Sequence, residues 1–239
     1  MKLSSLIAIS GFKNSGKDTA SLMVQYLVNS PPFLHYYWMY KAFNKIFIWG
    51  KYKITSFAHP LKRTLSALLN VPIKRFNDRD FKENYYIYFP TLEITNVLPE
   101  GAEVISDNKF SKLVSNKDFS FIQNTWITIR QLLQVFGTEC MRGIFGDKLW
   151  ILSTVKDKNP IIISDLRFKV ELKAVKDRGG KVICIYRQNC KPGNHASEKE
   201  IQEMLENLQY DAVIFNDGSL EDLFNKLKKA LNEKEYYYC

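Results

Sequence analysis

The sequence predicts an α/β fold, a three-layer α/β/α arrangement around a five-stranded parallel sheet. Three observations predict it. Five short apolar runs, Leu6–Ser10, 54–57, 161–164, 182–186 and Ala212–Phe215, lack polar alternation, as strands covered on both faces do. Helical patterns lie between them, and such alternation implies right-handed crossovers onto one sheet. With 239 residues and 46% apolar side chains, the chain can bury the core that such a fold needs, as one domain with insertions.

Each element has its own reason. The first run ends at a glycine turn and passes into a helix with Leu22, Met23, Tyr26 and Leu27 on one face. The second leads to Leu61, Leu65, Leu68 and Leu69, again one face. Ile129, Leu132, Leu133, Phe136 and Cys140 repeat the pattern, with Gly137 and Gly143 marking a break. After the third run, Phe168, Leu172 and Val175 form a helix stopped by Gly179-Gly180. Ser197 with Glu200 predicts a capping box ahead of Ile201, Met204, Leu205 and Leu208. Ser219 with Asp222 predicts another ahead of Leu223, Phe224 and Leu227. Two stretches depart from the alternation and read as insertions in a single domain spanning 1–239. Residues 30–53 are aromatic-rich with only lysine as charge, and residues 81–126 are broken by Pro90, Pro99 and Gly101. The aromatic stretch fits a helix or hairpin packed over the sheet better than a base-stacking surface.

Composition narrows the function. Lys+Arg 34 against Asp+Glu 25 leaves +9, which attracts polyanions. No window is a dense basic tract, so composition favours a soluble protein handling phosphorylated ligands, without choosing among nucleic acid, nucleotides and acidic lipid. No segment approaches the ~18 apolar residues of a membrane span. Cys140, Cys184, Cys190 and Cys239 show no metal-type spacing, and with no signal-peptide pattern at the start the expected compartment is the reducing cytoplasm.

The chemistry sits after the first strand, in Gly11-Phe-Lys-Asn-Ser-Gly16-Lys17-Asp18-Thr19. This is a phosphate-binding loop in its proper strand–loop–helix context. The glycines let the backbone curl so that its N–H groups point at phosphate oxygens, and Gly11, Asn14, Ser15 and Gly16 are the expected ATP-binding positions of the loop. The helix start adds its positive end, and Lys17 supplies a mobile cation. Asp18 replaces the usual hydroxyl residue after the lysine; a carboxylate is still a hard oxygen ligand for magnesium, and Thr19 follows it.

Together with four further segments, this loop resembles the deoxynucleoside monophosphate kinases of phages and large DNA viruses, a branch of the nucleoside monophosphate kinase fold. The segments are Ser56 to Lys62; Arg130 to Thr138 with Arg142; Ile163 to Phe168; and His195 to Glu198. The closing Asn216 to Leu220 is similar to the loop that borders the donor base, which brings in Asn216 and Gly218. His59 stands where the family commonly has an aspartate, so no acidic role is expected there. The resemblance implies ATP as donor and Mg²⁺ as cofactor, with Asp18, Thr19 and Asp165 serving the metal. Asp165, Arg167 and Arg187, near strand ends, join Lys17 as the catalytic set, and Arg187 opens a short lid at about 187–196. Lys62, Arg130, Gln131 and Arg142 would hold the acceptor monophosphate, arginine forks matching phosphate oxygens.

The expected activity is phosphorylation of a deoxynucleoside 5′-monophosphate to its diphosphate. A phosphomevalonate kinase-like enzyme and a non-enzymatic nucleotide- or nucleic-acid-binding protein are the alternatives. The sequence leaves open which bases are accepted and whether the protein is a homodimer.

Overall fold

A computed structural model describes residues 4–43, 50–89, 91–116, 125–155, 159–190 and 196–232. The first half of the chain runs β1 (Leu6–Ser10), α1 (Lys17–Asn29), α2 (Tyr37–Phe43), β2 (Lys53–Thr55), α3 (Ala58–Leu69), α4 (Arg79–Asn84), β3 (Tyr86–Tyr88), β4 (Glu93–Thr95) and α5 (Asp107–Ser115). The second half runs β5 (Trp126–Thr128), α6 (Ile129–Gln134), α7 (Gly143–Phe145), α8 (Leu149–Thr154), β6 (Ile161–Leu166), α9 (Lys169–Lys176), β7 (Lys181–Tyr186), α10 (Ala196–Glu206), β8 (Ala212–Phe215) and α11 (Leu220–Asn232). The chain forms two compact units, one of residues 1–57 with 154–239 and one of residues 58–153.

The first unit carries the five-stranded sheet, ordered β2-β6-β1-β7-β8 and parallel at every pairing. All five strands coincide with the five apolar runs. Ile7, Ile9, Ile183, Ile185 and Ile214 pack with Met23 and Val24 of α1 and Phe224 and Leu227 of α11. The alternate residues turn to the other face, where α9 packs on β7 and β1 and α10 packs on α9. A strand buried on both faces has no polar face to alternate, so the sequence signal is a plain apolar run.

Local differences from the sequence reading have physical causes. The second strand stops at Thr55, because the Phe57 amide turns away to donate to Asp165 Oδ1 at 2.7 Å. The Ser219–Asp222 capping box forms: the Ser219 amide donates to Asp222 Oδ2 at 2.8 Å and the Asp222 amide to Ser219 Oγ at 3.1 Å. The Ser219 amide, and next the Ser219 hydroxyl at 2.9 Å, both donate to Asp222 Oδ2 and hold the Asp222 carboxyl below the usual carboxylate range. Ser197 lies inside the described helix rather than ahead of it, since α10 begins at Ala196, and Glu200 Oε2 accepts from the Lys169 amide at 2.7 Å. In the aromatic stretch, α2 packs on helices rather than on the sheet. Tyr40 lies 5.6 Å from both the Tyr26 and the Phe224 ring, with Tyr37 beside them.

The second unit has its own sheet, ordered β4-β3-β5 and antiparallel, with Ile87 paired to Ile127 and both fully buried. The insertion expected at 81–126 is the middle of this unit. α6 begins at a capping box of Thr128 and Gln131, then continues without interruption through a π-helical stretch, Val135–Arg142, into α7. The break expected at Gly137 and Gly143 is therefore absent. Gly137 serves packing instead: a Cβ there would lie 2.7 Å from Leu61 Cδ2, and its carbonyl accepts from Trp150 Nε1 at 2.8 Å.

Candidate active site

The parallel sheet delivers four loops to one edge, at the carboxyl ends of β1, β6, β7 and β8, where open α/β sheets bind ligands. After β1 the backbone curls tightly. Gly11 has φ +148° and Gly16 φ +93°, and Asn14, at φ 66°, takes a left-handed conformation that asparagine tolerates. Neither glycine admits a side chain: a Cβ on Gly11 would lie 2.4 Å from the Ile185 carbonyl oxygen, and one on Gly16 2.4 Å from Asn216 Nδ2. The Ser15 amide donates to the Phe12 carbonyl at 3.2 Å, while the Ser15 hydroxyl is buried with no hydrogen-bond partner. An orphaned hydroxyl inside a curled loop is what a bound anion would satisfy.

Lys17 opens α1, its ammonium donating to the Phe12 carbonyl at 3.3 Å. Its pKa lies below the ordinary 10.5, first because burial penalises the charge and next because the Arg167 cation is near. Asp18, Glu198 and Asp165 pull the other way. A partly desolvated lysine that also feels the Arg167 cation marks a place where negative charge is missing. Asp18 is exposed in the first turn of α1 and Thr19 half-buried beside it.

Asp165 is the penultimate residue of β6, beside the irregular register between Ala8 and Ser10 of β1. Arg167 follows the strand; its amide donates to Glu171 Oε2 at 2.9 Å, and its guanidinium lies 3.6 Å from Glu198 Oε1. Arg187 follows β7 and donates from Nε to the Asn216 carbonyl at 2.9 Å. In the expected lid, Arg187 starts a turn closed by the Cys190 amide at 3.0 Å; residues 191–195, His195 among them, lie outside the described residues. Asn216 is 4% exposed and its Nδ2 donates to the Ser15 carbonyl at 2.8 Å. Its side chain thus braces the loop. Gly218 is exposed in the turn before α11.

The four expected acceptor residues, Lys62, Arg130, Gln131 and Arg142, all belong to the second unit. Lys62 donates from Nζ to Asn77 Oδ1 at 2.8 Å. Arg130 pairs with Glu83 at 2.6 Å, and its Nε is buried without a partner. Arg142 is buried at the end of the π-helical stretch. Gln131 corrects the expectation. It is buried, its Oε1 accepts from the Thr128 amide, and its Nε2 donates to the Ile105 carbonyl and to Asp107 Oδ1. Those bonds commit the amide to holding the unit together, not to a substrate. Sequence reading also missed Arg75, whose guanidinium lies 4.6 Å from the Phe81 ring and 5.0 Å from the Tyr85 ring, with Nε buried and unpartnered. Only an arginine followed by aromatics could have hinted at it.

Among the described residues no group of three acidic, histidine or cysteine side chains is arranged to hold a metal, and no helix is long and apolar enough to cross a membrane. The fold and the curled loop between the first strand and first helix define a phosphate-binding-loop α/β protein of the nucleoside monophosphate kinase type. A model of the deoxynucleotide monophosphate kinase family matches residues 73–227, more than half of the sequence, and the chain belongs to that family. The match begins beyond the glycine loop, whose reading rests on its geometry. The deoxynucleotide monophosphate kinase of Enterobacteria phage T4 is 30% identical over 141 residues, 55% of this chain and 54% of that one. That of Escherichia phage RB69 is 31% identical over 119 residues, 46% and 47% of the two. The chain spans about half the length of these curated relatives.

Proposed function

We propose that the protein transfers the γ-phosphoryl group of ATP to a deoxynucleoside 5′-monophosphate, giving the diphosphate. Family membership supports the acceptor class and weighs against phosphomevalonate. The observation that carries the donor half is the glycine loop, with its buried unpartnered Ser15 hydroxyl beside the crowded cations Lys17 and Arg167. A polyphosphate answers both features.

In this reading the loop amides and the Ser15 hydroxyl bind the donor phosphates, and Lys17 neutralises the charge that develops as the phosphoryl group leaves. Arg167 and Arg187 do the same for its outer oxygens. Magnesium fits a site of this kind, which offers Asp165, Asp18 and Thr19 as hard oxygen donors and leaves the remaining positions to phosphates and water. When bound it would supply charge neutralisation between the β- and γ-phosphates. Asp165 is fixed for this by the Phe57 amide on Oδ1. Lys62, Arg130, Arg142 and Arg75 are the acceptor-side cations. An acceptor phosphate is already anionic, so no general base is required.

A coupled ADP-release assay across deoxynucleoside monophosphates, with phosphomevalonate as control, tests the proposal. Turnover of at least one deoxynucleotide and none of phosphomevalonate is expected. Turnover of phosphomevalonate alone would end it.

A further inference from the structure

Glu198 stands in the first turn of α10, 6% exposed, and its Oε2 makes no hydrogen bond. A buried carboxylate is costly unless it is paired and hydrogen-bonded. Among the described residues its ion-pair partner is Arg167, and Oε1 stands 3.6 Å from that guanidinium, beyond hydrogen-bond length. The placement is therefore expensive for stability, and burial alone does not explain why a carboxylate occupies it.

Its surroundings suggest a reason. The segment after β6 is already fastened by backbone contacts. Glu171 Oε2 accepts from the amides of Arg167 at 2.9 Å and Phe168 at 3.1 Å. Glu200, two residues along from Glu198, accepts from the Lys169 amide at 2.7 Å, and Glu203 pairs with the Lys169 ammonium. These contacts hold the main chain without Glu198. What Glu198 adds is a charge facing the Arg167 side chain, which is 37% exposed while the Glu198 carboxyl is 8% exposed. The guanidinium is thus ion-paired with a buried carboxylate while its side chain remains partly open to solvent. Lys17 lies within the electrostatic reach of both groups, so the three charges form one cluster at the phosphate-binding loop.

We infer that Glu198 is a positioning residue for phosphoryl transfer: it holds the Arg167 guanidinium beside the loop, oriented for the group in flight. The inference rests on the kinase activity proposed above. Without nucleotide, Lys17 and Arg167 repel each other, and a flexible arginine would swing into solvent. A buried carboxylate, unable to follow it, keeps the cation near the loop and removes the rotamer search from each turnover. The long separation leaves the guanidinium N–H groups available to phosphate oxygens.

Steady-state kinetics of Glu198→Gln, Arg167→Ala and the double variant test this, with thermal melting of each. Glu198→Gln is expected to lower kcat on the order of 10- to 100-fold, the scale of a small misplacement of a reacting group. The KM for ATP should stay within about threefold, as for an interaction used only in the transition state. The double variant should be no slower than Arg167→Ala, because the glutamate acts through the arginine. The melting temperature should hold or rise, since a poorly paired buried charge has gone. Glu198→Met, of similar volume and uncharged, should show the same kcat loss. Parental kcat in Glu198→Gln, additive losses in the double variant, or loss of folded protein in both Glu198 variants would overturn the inference. A parent enzyme that turns over no deoxynucleoside monophosphate would instead overturn the activity on which it rests.

Discussion

Asn216→Ala is the substitution that most directly probes how the nucleotide loop is held. The side chain contributes one donor, Nδ2 to the Ser15 carbonyl at 2.8 Å, and it is 4% exposed. Its own amide, bonded to the Tyr186 carbonyl at 2.7 Å, is untouched by the change. Truncation therefore removes a donor from a buried carbonyl and leaves a void above Gly16. Leaving a buried acceptor without its partner costs about 1–3 kcal/mol. For a chain of this size each kcal/mol lowers Tm by roughly 2–4 °C, so a fall of roughly 2–12 °C is expected. The loop also loses the group that presses on Gly16, where a Cβ would lie 2.4 Å from Nδ2. A less preorganised loop must be ordered by the ligand, which should weaken ADP by about 10-fold, or 1.4 kcal/mol. Thermal melting gives the first quantity, and calorimetric titration with ADP the second. Parental Tm and parental affinity would refute the brace. A lower Tm with unchanged affinity would keep Asn216 as a stability element and refute its link to nucleotide binding.

Lys17→Met should abolish phosphoryl transfer by several powers of ten while the protein stays folded, read by the ADP-release assay and by melting. Because the fold holds the Lys17 pKa below 10.5, its charge opposes folding at neutral pH, fully so below the lowered value and not at all above the unfolded one. The Met variant should therefore melt at or above the parent near pH 7, and this margin should shrink as the pH rises towards 10.5; a variant that melts well below the parent would contradict the crowded-cation account. Asp18→Ala should raise the magnesium concentration needed for half-maximal rate and leave metal-free ADP binding intact or tighter, since an exposed carboxylate beside the phosphates has gone. Superimposable magnesium titrations would move the metal role to Thr19 and Asp165. Gly137→Ala sets a gain of about 1 kcal/mol in helix propensity against about 1–3 kcal/mol of overpacking on Leu61, so the urea midpoint should fall or hold; a clear rise would show that the 2.7 Å approach yields freely.

The inner strands were legible in the sequence because each is a nearly continuous apolar run, and burial on both faces erases every competing pattern, whereas the edge strand Lys53–Thr55 is only half-buried and showed its position more than its bounds. The Gly11–Lys17 loop was legible for a related reason: Gly11 and Gly16 have φ values and 2.4 Å approaches to Ile185 and Asn216 that call for glycine, so the geometry leaves its mark in residue type. The Ser219–Asp222 box was legible because both partners lie within one turn. What escaped the sequence depends on neighbours far along the chain. The three-residue strands Tyr86–Tyr88, Glu93–Thr95 and Trp126–Thr128 are too short to show a period and exist only because they pair. Gln131 looked like a ligand beside Arg130 until Ile105 and Asp107, more than twenty residues earlier, claimed its amide. Ser197 and Glu200 have the spacing of a cap, yet Lys169 takes the glutamate. Residue type and local spacing determined the strands, the loop and its chemistry; which polar groups are already spent, and which, like Ser15 Oγ and Glu198 Oε2, remain unpartnered, was decided only by tertiary structure, because hydrogen bonds are shared out among whatever the fold brings within 3 Å.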